Sequence, residues 1–250
     1  MFVISTSYAP PPPDKDYTNI LINGVACGPH GDAKTTGKEY QSNVYKNRFD
    51  FPKDNEIDGS IDLGKIEKAK AVESGFSPQK AVDIEGYVYD VKVGGNETCN
   101  CHATDPLLRD THIELVVDPD KNGQEKRVIV EVTPRIRQIM EEQGVDWTTE
   151  NLKKTIKHQY VRIQGWLFYD VSHDKENFAD DPDDNVGRKN WRATSWEVHP
   201  VTSIEVEGDD VPEGTNGMTG SSAGDEDNGG YDPETGKPLM KAMSASALNN

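Results

Sequence analysis

Cysteine, histidine and acidic residues are dense in one part of this sequence, and their types indicate metal chemistry. The candidate metal ligands are Cys99, Cys101, His102, Asp110, His112 and His199. In an extended chain the two cysteines point the same way, and Asp110 and His112 share one face of a strand. Thiolates and imidazoles bind zinc or iron, and carboxylates also bind manganese and calcium. The pattern therefore predicts a divalent-metal site, although Cys-x-Cys-His is not a standard zinc-finger spacing and leaves structural roles open.

Glu131 is a second unusual residue, because it interrupts an otherwise apolar segment, VIVEV at 128–132. A buried carboxylate must be paired or hydrogen-bonded, since desolvation penalises an isolated charge. One interpretation is a salt bridge to Arg127, Arg135 or Arg162. The other is a metal ligand or a general base.

The segment WEVHP at 196–200 repeats this combination of a carboxylate and an imidazole in a predicted strand. Glu197 and His199 are two residues apart, so they share one strand face. We therefore expect His112, Glu131 and His199 to converge at one end of a β-barrel, although they are far apart along the chain.

The elements that must position these residues are mainly strands. Alternating apolar residues predict five of them, at 81–93, 111–117, 127–132, 160–169 and 196–206. Helical spacing predicts short helices at 63–73 and 135–143, and a further one from 148 or 149 to about 157. Gly86 indicates a bulge or a sharp bend in the first strand.

This order predicts a mainly β fold: a five-stranded Greek-key barrel of the OB type, with one or two short helices and disordered termini. A helix between the third and fourth strands is part of that expectation. A β-sandwich is the alternative, but it needs about seven strands. We predict an irregular N-terminal extension at 1–55, the OB-like barrel domain at 56–207 and a disordered acidic tail at 208–250.

Charge and composition limit the functional classes. The formal net charge is −17, and an acidic protein repels phosphate backbones, so non-specific nucleic-acid binding is disfavoured. Three cysteines are too few for a disulfide framework. Neither a signal peptide nor a membrane-spanning segment is recognisable, so a cytoplasmic protein is the default expectation. The partner, whether an unknown ligand or another protein, and the oligomeric state cannot be read from the sequence.

Five segments together resemble a bacterial family of uncharacterised proteins. The segments are ETCNCH (97–102), DTH (110–112), EVTPR (131–135), GWLFYD (165–170) with His173, and WEVHP (196–200). The resemblance extends over about residues 46–206. It serves as a family label and implies an OB-like fold, but it implies no established activity.

A second resemblance is to thermonuclease, which also has an OB fold. It rests on Asp110 in a strand, on Arg127 and on the closing segment VEVTP at 130–134. The resemblance implies that Asp110 is a metal ligand and that Arg127 binds phosphate. Arg188 or Arg192 would supply the second arginine.

The sequence departs from the thermonuclease pattern at two functional positions. Val132 stands where that family has its second aspartate, and Arg135 stands where it has the base glutamate. Glu131 could compensate only from the opposite strand face.

Two functional hypotheses follow. The first is an OB-type binding module of unknown ligand with a Cys/His/carboxylate metal site. The alternative is a metal-dependent phosphodiesterase or nuclease of the thermonuclease type. In such an enzyme Glu131 or His112 would act as the base. Arg127 or Arg192 would stabilise the transition state. Zinc, iron, manganese and calcium are the candidate metals.

Overall fold

The computed structural model describes residue 11 and residues 15–73, 75–185 and 189–207, which belong to one compact unit. The acidic tail predicted at 208–250 and the candidate arginine at position 188 lie outside these residues.

Seven strands are described, and five of them form a closed barrel. Strands β1 (Ile20–Ile22) and β2 (Val25–Cys27) form an antiparallel hairpin ahead of the barrel. The barrel strands are β3 (Ala81–Val93), β4 (Thr111–Val116), β5 (Val128–Val132), β6 (Tyr160–Tyr169) and β7 (Trp196–Val206). Their order is β3-β4-β5-β7-β6, with β6 pairing back onto β3; β5 and β7 are parallel, and the other neighbours are antiparallel. The predicted mainly β class and five-stranded barrel are confirmed.

Strand β3 closes the barrel because it is long enough to pair with two neighbours. Its first half pairs with β6 and its second half with β4, and the change of partner falls at Tyr87. At Gly86 an added Cβ would come within 2.5 Å of Leu63 Cδ2, so the glycine lets Leu63 pack directly on the strand. The irregularity in strand register lies slightly further on, between Val88 and Asp90.

Four α-helices lie in the described part of the chain: α1 (Glu39–Lys46), α2 (Leu63–Lys68), α3 (Pro134–Glu142) and α4 (Thr149–Ile156). Helices α3 and α4 connect the third and fourth barrel strands, as the sequence predicted. Thr133 caps α3 by accepting a hydrogen bond from the Ile136 backbone N–H at 3.3 Å. Pro134 then occupies the first turn, where its missing amide hydrogen costs nothing.

The helix predicted at 63–73 ends at Lys68 instead. Beyond this point Val72 is 95% exposed, so the apolar stripe that predicted a longer helix no longer faces the core. The Ala69 carbonyl accepts a hydrogen bond from Thr194 Oγ1 at 2.6 Å. A tertiary contact therefore satisfies the backbone where a helical bond was expected.

The described part of the N-terminal region contains regular structure that the sequence analysis did not anticipate. The hairpin β1–β2 and helix α1 both lie there. Three-residue strands are too short to show a period. Helix α1 buries Asn43 and Lys46, so its inner face is polar and carries no apolar repeat.

The barrel interior is apolar, and a layer of buried polar side chains covers the outer face of three of its strands. Aliphatic side chains from all five strands fill the interior, including Ile84, Ile113, Val130, Ile163 and Val201. Along β4, β5 and β7 the buried polar residues His112, Glu131 and His199 alternate with these core residues, so their side chains lie on the outer face of the barrel. None of the described helices combines the length and apolar composition needed to cross a membrane.

Candidate metal centre

Glu131 lies at the centre of a buried polar cluster because β5 runs between β4 and β7. His112 on β4 is its register partner, and His199 reaches it from β7. His112 Nδ1 lies 2.9 Å from Glu131 Oε1, and His199 Nδ1 lies 3.2 Å from Glu131 Oε2. His112 and His199 therefore both contact Glu131, as expected, but they do so on the outer face of the barrel strands and not at one end of the barrel.

His199 is completely buried, and its two ring nitrogens have different surroundings. Its Nδ1 lies 3.3 Å from Glu197 Oε2 in addition to its contact with Glu131. Its Nε2 has no hydrogen-bond partner among the described residues and lies 4.0 Å from Asp110 Oδ2. The Phe168 ring packs beside it, with 5.6 Å between ring centroids. His199 thus directs an unsatisfied nitrogen towards a carboxylate.

Asp110 lies directly before β4 and faces His199 from the opposite side of the cluster. Its Oδ2 accepts a hydrogen bond from Asn100 Nδ2 at 2.9 Å and lies 3.8 Å from Cys99 Sγ. Its Oδ1 has no hydrogen-bond partner within the described ranges. Burial raises the pKa of Asp110 to about 6, although the neighbouring His199 acts to lower it.

Mutual hydrogen bonds determine the charges in the rest of the cluster. Burial alone would raise the pKa of Glu131, but hydrogen bonds from His112 and His199 hold it well below its usual range. Burial would lower the pKa of His199, but its bonds to Glu131 and Glu197 raise this pKa to about 10. Without a metal the cluster is therefore an ion-pair network with an anionic Glu131 between two imidazoles.

Two overlapping groups of side chains are close enough to hold a cation. Asp110, Glu131 and His199 form the first group, and Glu97, Cys99 and Asp110 form the second. Within each group, one ligand atom from each residue lies within 4.8 Å of the others. Zinc–ligand bonds of about 2.0–2.3 Å place tetrahedral ligand atoms about 3.3–3.8 Å apart. Both groups need only small side-chain movements to close around an ion.

The second group already contacts a buried cation. Lys46 Nζ, from α1, lies 2.6 Å from Glu97 Oε2 and 2.8 Å from Asp170 Oδ2. Burial would lower the pKa of Lys46, but Asp170 and Glu97 together raise it well above its usual value. Because this ammonium competes with a metal for Glu97, the first group is the better candidate.

Two of the predicted ligands are contradicted by the structure. Cys101 forms a disulfide with Cys27, which is 74 residues away, so its sulfur is not available as a thiolate ligand. His102 turns towards Asp32 Oδ2, at 2.7 Å from its Nδ1, and belongs to neither group. Cys99 keeps a free thiol, and burial raises the pKa of that thiol well above its usual value.

His112 contacts the cluster but belongs to neither group of metal-ligand atoms. Its Nδ1 bonds to Glu131, while its Nε2 lies 3.7 Å from Glu114 Oε1. Burial would lower the pKa of His112, but the nearby Glu114 carboxylate and the hydrogen bond to Glu131 raise it. The geometry therefore makes His112 a neighbour that orients Glu131.

The three arginines that we considered as partners of Glu131 pair elsewhere. Arg127 Nη1 lies 3.1 Å from Glu114 Oε2. Arg162 pairs with a carboxylate on β3, and Arg135 donates to backbone carbonyls of the N-terminal region. The predicted salt bridge from Glu131 to an arginine is therefore wrong, and the ion-pair partners of Glu131 are two histidines.

The two arginines proposed to stabilise the transition state, Arg127 and Arg192, are already engaged. Arg192 is fully buried, and its Nη2 lies 2.6 Å from Glu197 Oε1. The Arg127 guanidinium is paired with Glu114 and also lies 4.0 Å from the centre of the Tyr89 ring. Either residue would have to break a buried ion pair to bind phosphate. The alternative of a thermonuclease-like enzyme is therefore not favoured.

A cleft of about 610 Å³ opens beside the cluster. Glu131 and His112 line it, whereas Asp110 and His199 do not. Trp191 also lines the cleft, with its ring centroid 5.6 Å from that of His112. A cation bound by the first group would lie beneath the cleft surface, and the Glu131 side chain would separate the cation from the cleft.

The sequence analysis missed three buried polar residues of this region, namely Lys46, Asn100 and Asp170. Asn100 lies between two candidate cysteines, and Asp170 ends a segment that carried the family resemblance. Neither position has a spacing that indicates a ligand. Their importance comes from burial, which a polar residue in a predicted loop does not reveal.

No family model matches this chain, and no curated protein matches it either. The two resemblances described above, to a bacterial family and to thermonuclease, therefore stay predictions.

Proposed function

We propose that this protein is a binding module that holds one divalent transition-metal ion at Asp110, Glu131 and His199. The observation that carries the proposal is the buried imidazole of His199. Its Nδ1 faces the carboxylates of Glu131 and Glu197, while its Nε2 is unpartnered among the described residues and faces Asp110.

This arrangement is typical of metal-binding histidines. A carboxylate that accepts a hydrogen bond from one ring nitrogen fixes the tautomer and turns the other nitrogen towards a metal. Glu197 is that carboxylate here, and Glu131 would turn away from the Nδ1 of His199 to bind the ion. A buried polar atom without a partner costs about 1–3 kcal/mol. A cation between His199 Nε2 and the carboxylate of Asp110 would satisfy both groups.

The ligand types favour some metals over others. One imidazole with two carboxylates suits zinc, iron and manganese. Calcium prefers six to eight oxygen ligands at about 2.3–2.6 Å, so the imidazole counts against calcium. Since Asp110 and His199 do not line the cleft, the ion would be enclosed against the outer face of β5 and β7 and would stabilise that part of the fold.

The strand order supports the OB-type assignment, because the third and fifth barrel strands pair in parallel and two helices connect the third and fourth strands. The ligand of the module would then bind in the adjacent cleft, in contact with Glu131 and Trp191.

The test is elemental analysis of the full chain, followed by titration of the metal-free protein with zinc, iron(II) or manganese. We expect one metal ion per chain, and we expect His199→Asn and Asp110→Asn to lose it. His158→Asn is the matched control, because His158 is an exposed histidine outside both candidate groups. Absence of stoichiometric metal, or equal binding by His199→Asn and the control, would contradict the proposal.

A further inference from the structure

We infer that Asn100 and the Cys27–Cys101 disulfide act together to position Asp110, so that metal affinity depends on whether the disulfide is intact. This inference rests on the proposed metal site, and it adds a positioning residue and a redox dependence to that site.

Asn100 is the direct link to the metal site. It is 1% exposed, and its Nδ2 donates a hydrogen bond to Asp110 Oδ2 at 2.9 Å. The Asp110 main chain is held separately, because its carbonyl accepts from the Gly94 N–H at 2.8 Å. The orientation of the Asp110 carboxylate towards His199 is therefore set mainly by Asn100.

The turn that carries Asn100 has an unusual backbone. Cys101 and His102 follow directly, and both lie in the left-handed region, with φ of 47° and 48°. Residues with a Cβ rarely adopt this conformation, and two in succession persist only when surrounding contacts hold them. The position of Asn100 thus depends on how firmly the turn is held.

Several contacts hold this turn, and the disulfide is the covalent one. Cys101 is bonded to Cys27, at the end of β2. Asn47 Nδ2 donates to the Cys99 carbonyl at 2.9 Å. Gly31 packs backbone to backbone against Thr98, where any Cβ would overlap the Thr98 carbonyl.

Cys27 is itself anchored to the barrel domain. Its carbonyl accepts a hydrogen bond from Arg135 Nη2 at 2.8 Å, and Arg135 is fully buried on α3. A continuous path therefore runs from α3 through Arg135, Cys27 and Cys101 to Asn100. Its last contact is with the carboxylate of Asp110.

Reduction breaks this path at one bond. A dithiol reductant transfers two electrons and two protons, so the Sγ–Sγ bond is replaced by two thiols on Cys27 and Cys101, and the reductant closes to its own disulfide. The strained turn is then free to relax, and Asn100 loses its fixed position. We expect zinc affinity to fall by about 10–100-fold, the usual effect of losing a residue that orients a metal ligand.

The experiment measures zinc(II) affinity of the full chain by competition with a chromophoric chelator. The proteins compared are the oxidised wild type, the Cys27→Ser/Cys101→Ser double variant, and Asn100→Leu with the disulfide intact. Leucine keeps a similar side-chain size and removes the donor. We expect both variants to bind zinc about 10–100-fold more weakly than the oxidised wild type.

A combined variant separates positioning from general loss of stability. If the disulfide acts through Asn100, Asn100→Leu adds little to the loss in the double-serine background, because both changes act on the same path. Independent structural damage would instead give additive losses. Additive losses would overturn the inference.

Two further controls keep the result interpretable. Reductant must leave zinc affinity unchanged in the double-serine variant, where Cys99 is the remaining cysteine. Circular dichroism shows whether the double-serine variant folds. If it does not, the zinc affinities of the wild type before and after reduction, and of Asn100→Leu, decide the question. If every protein binds one zinc ion with the same affinity, this inference is overturned but the proposed function stands. If the oxidised wild type binds no zinc, the proposed function is overturned.

Discussion

At the scale of residues, the buried charges form two adjoining networks. Glu131 is held between His112 and His199, and Lys46 is held between Glu97 and Asp170. Buried ion pairs contribute little net stability because desolvation offsets their attraction, yet removal of one partner is strongly destabilising. Substitutions in these networks should therefore be read for folding as well as for metal binding.

Glu114 provides a pH test at this scale, away from the two candidate metal groups. Burial would raise its pKa, but the neighbouring His112 and a hydrogen bond from Lys92 lower it from 4.5 to about 2. A lowered pKa stabilises the fold above the unfolded value near 4.5, and this contribution is lost as the pH falls towards 2. After allowance for partial solvent screening, the contribution is about 2 kcal/mol.

Urea unfolding of wild type and Glu114→Gln between pH 3 and pH 7 measures this contribution. We expect the variant to be less stable by about 2 kcal/mol at pH 7 and the difference to shrink steadily below pH 4.5. Glu125→Gln, at an exposed position, should show a small difference at every pH. A difference for Glu114→Gln that is constant with pH would argue against the shifted pKa.

At the scale of elements, α3 connects the metal site to the N-terminal region. It begins three residues after Glu131 and carries Arg135, which donates to the Thr18, Cys27 and Gly28 carbonyls. Its start is determined by the Thr133 cap. The helix thus fixes both the end of β5 and the anchor of the hairpin.

Thr133→Ala removes the side-chain acceptor for the Ile136 N–H and should lower the free energy of unfolding by about 1 kcal/mol. Thr155→Ala is the matched control, because Thr155 is an exposed threonine inside α4 whose hydroxyl bonds only within its helix. Chemical denaturation of both variants checks the prediction. Equal losses in the two variants would mean that the cap contributes nothing specific.

At the scale of the whole molecule, one disulfide joins the N-terminal hairpin to the barrel loops, and it leaves one thiol. Disulfides persist mainly in oxidising compartments, and structural ones are rare in the cytosol. The cytoplasmic expectation therefore stays a prediction, and the state of the cysteines in the isolated protein bears on it directly.

Thiol titration in denaturant tests this arrangement. The unreduced chain should show one reactive thiol, that of Cys99, and three after reduction, because the sequence contains three cysteines. Cys99→Ser should show none before reduction. Three thiols in unreduced wild type, purified with exclusion of reductant, would contradict the disulfide.

Periodicity in the sequence was sufficient for the barrel strands and for α3 and α4. Alternation along β3 through β7 reflects an apolar interior, and capping threonines mark where the two helices begin. Helix α1 was not predicted because its buried residues are polar. The length of α2 was overestimated because Val72, which is exposed, continues the helical spacing of apolar residues.

What the sequence alone determined about this protein was the barrel and a list of candidate ligands that includes Asp110, Glu131 and His199. Only the tertiary structure decided which of them meet. It brought Asp110, Glu131 and His199 together, moved Cys101 into a disulfide and turned His102 to the surface. Strand patterns are local and repeat along the chain, whereas this site joins Asp110, directly before β4, to residues of β5 and β7, and their proximity depends on how the strands pair.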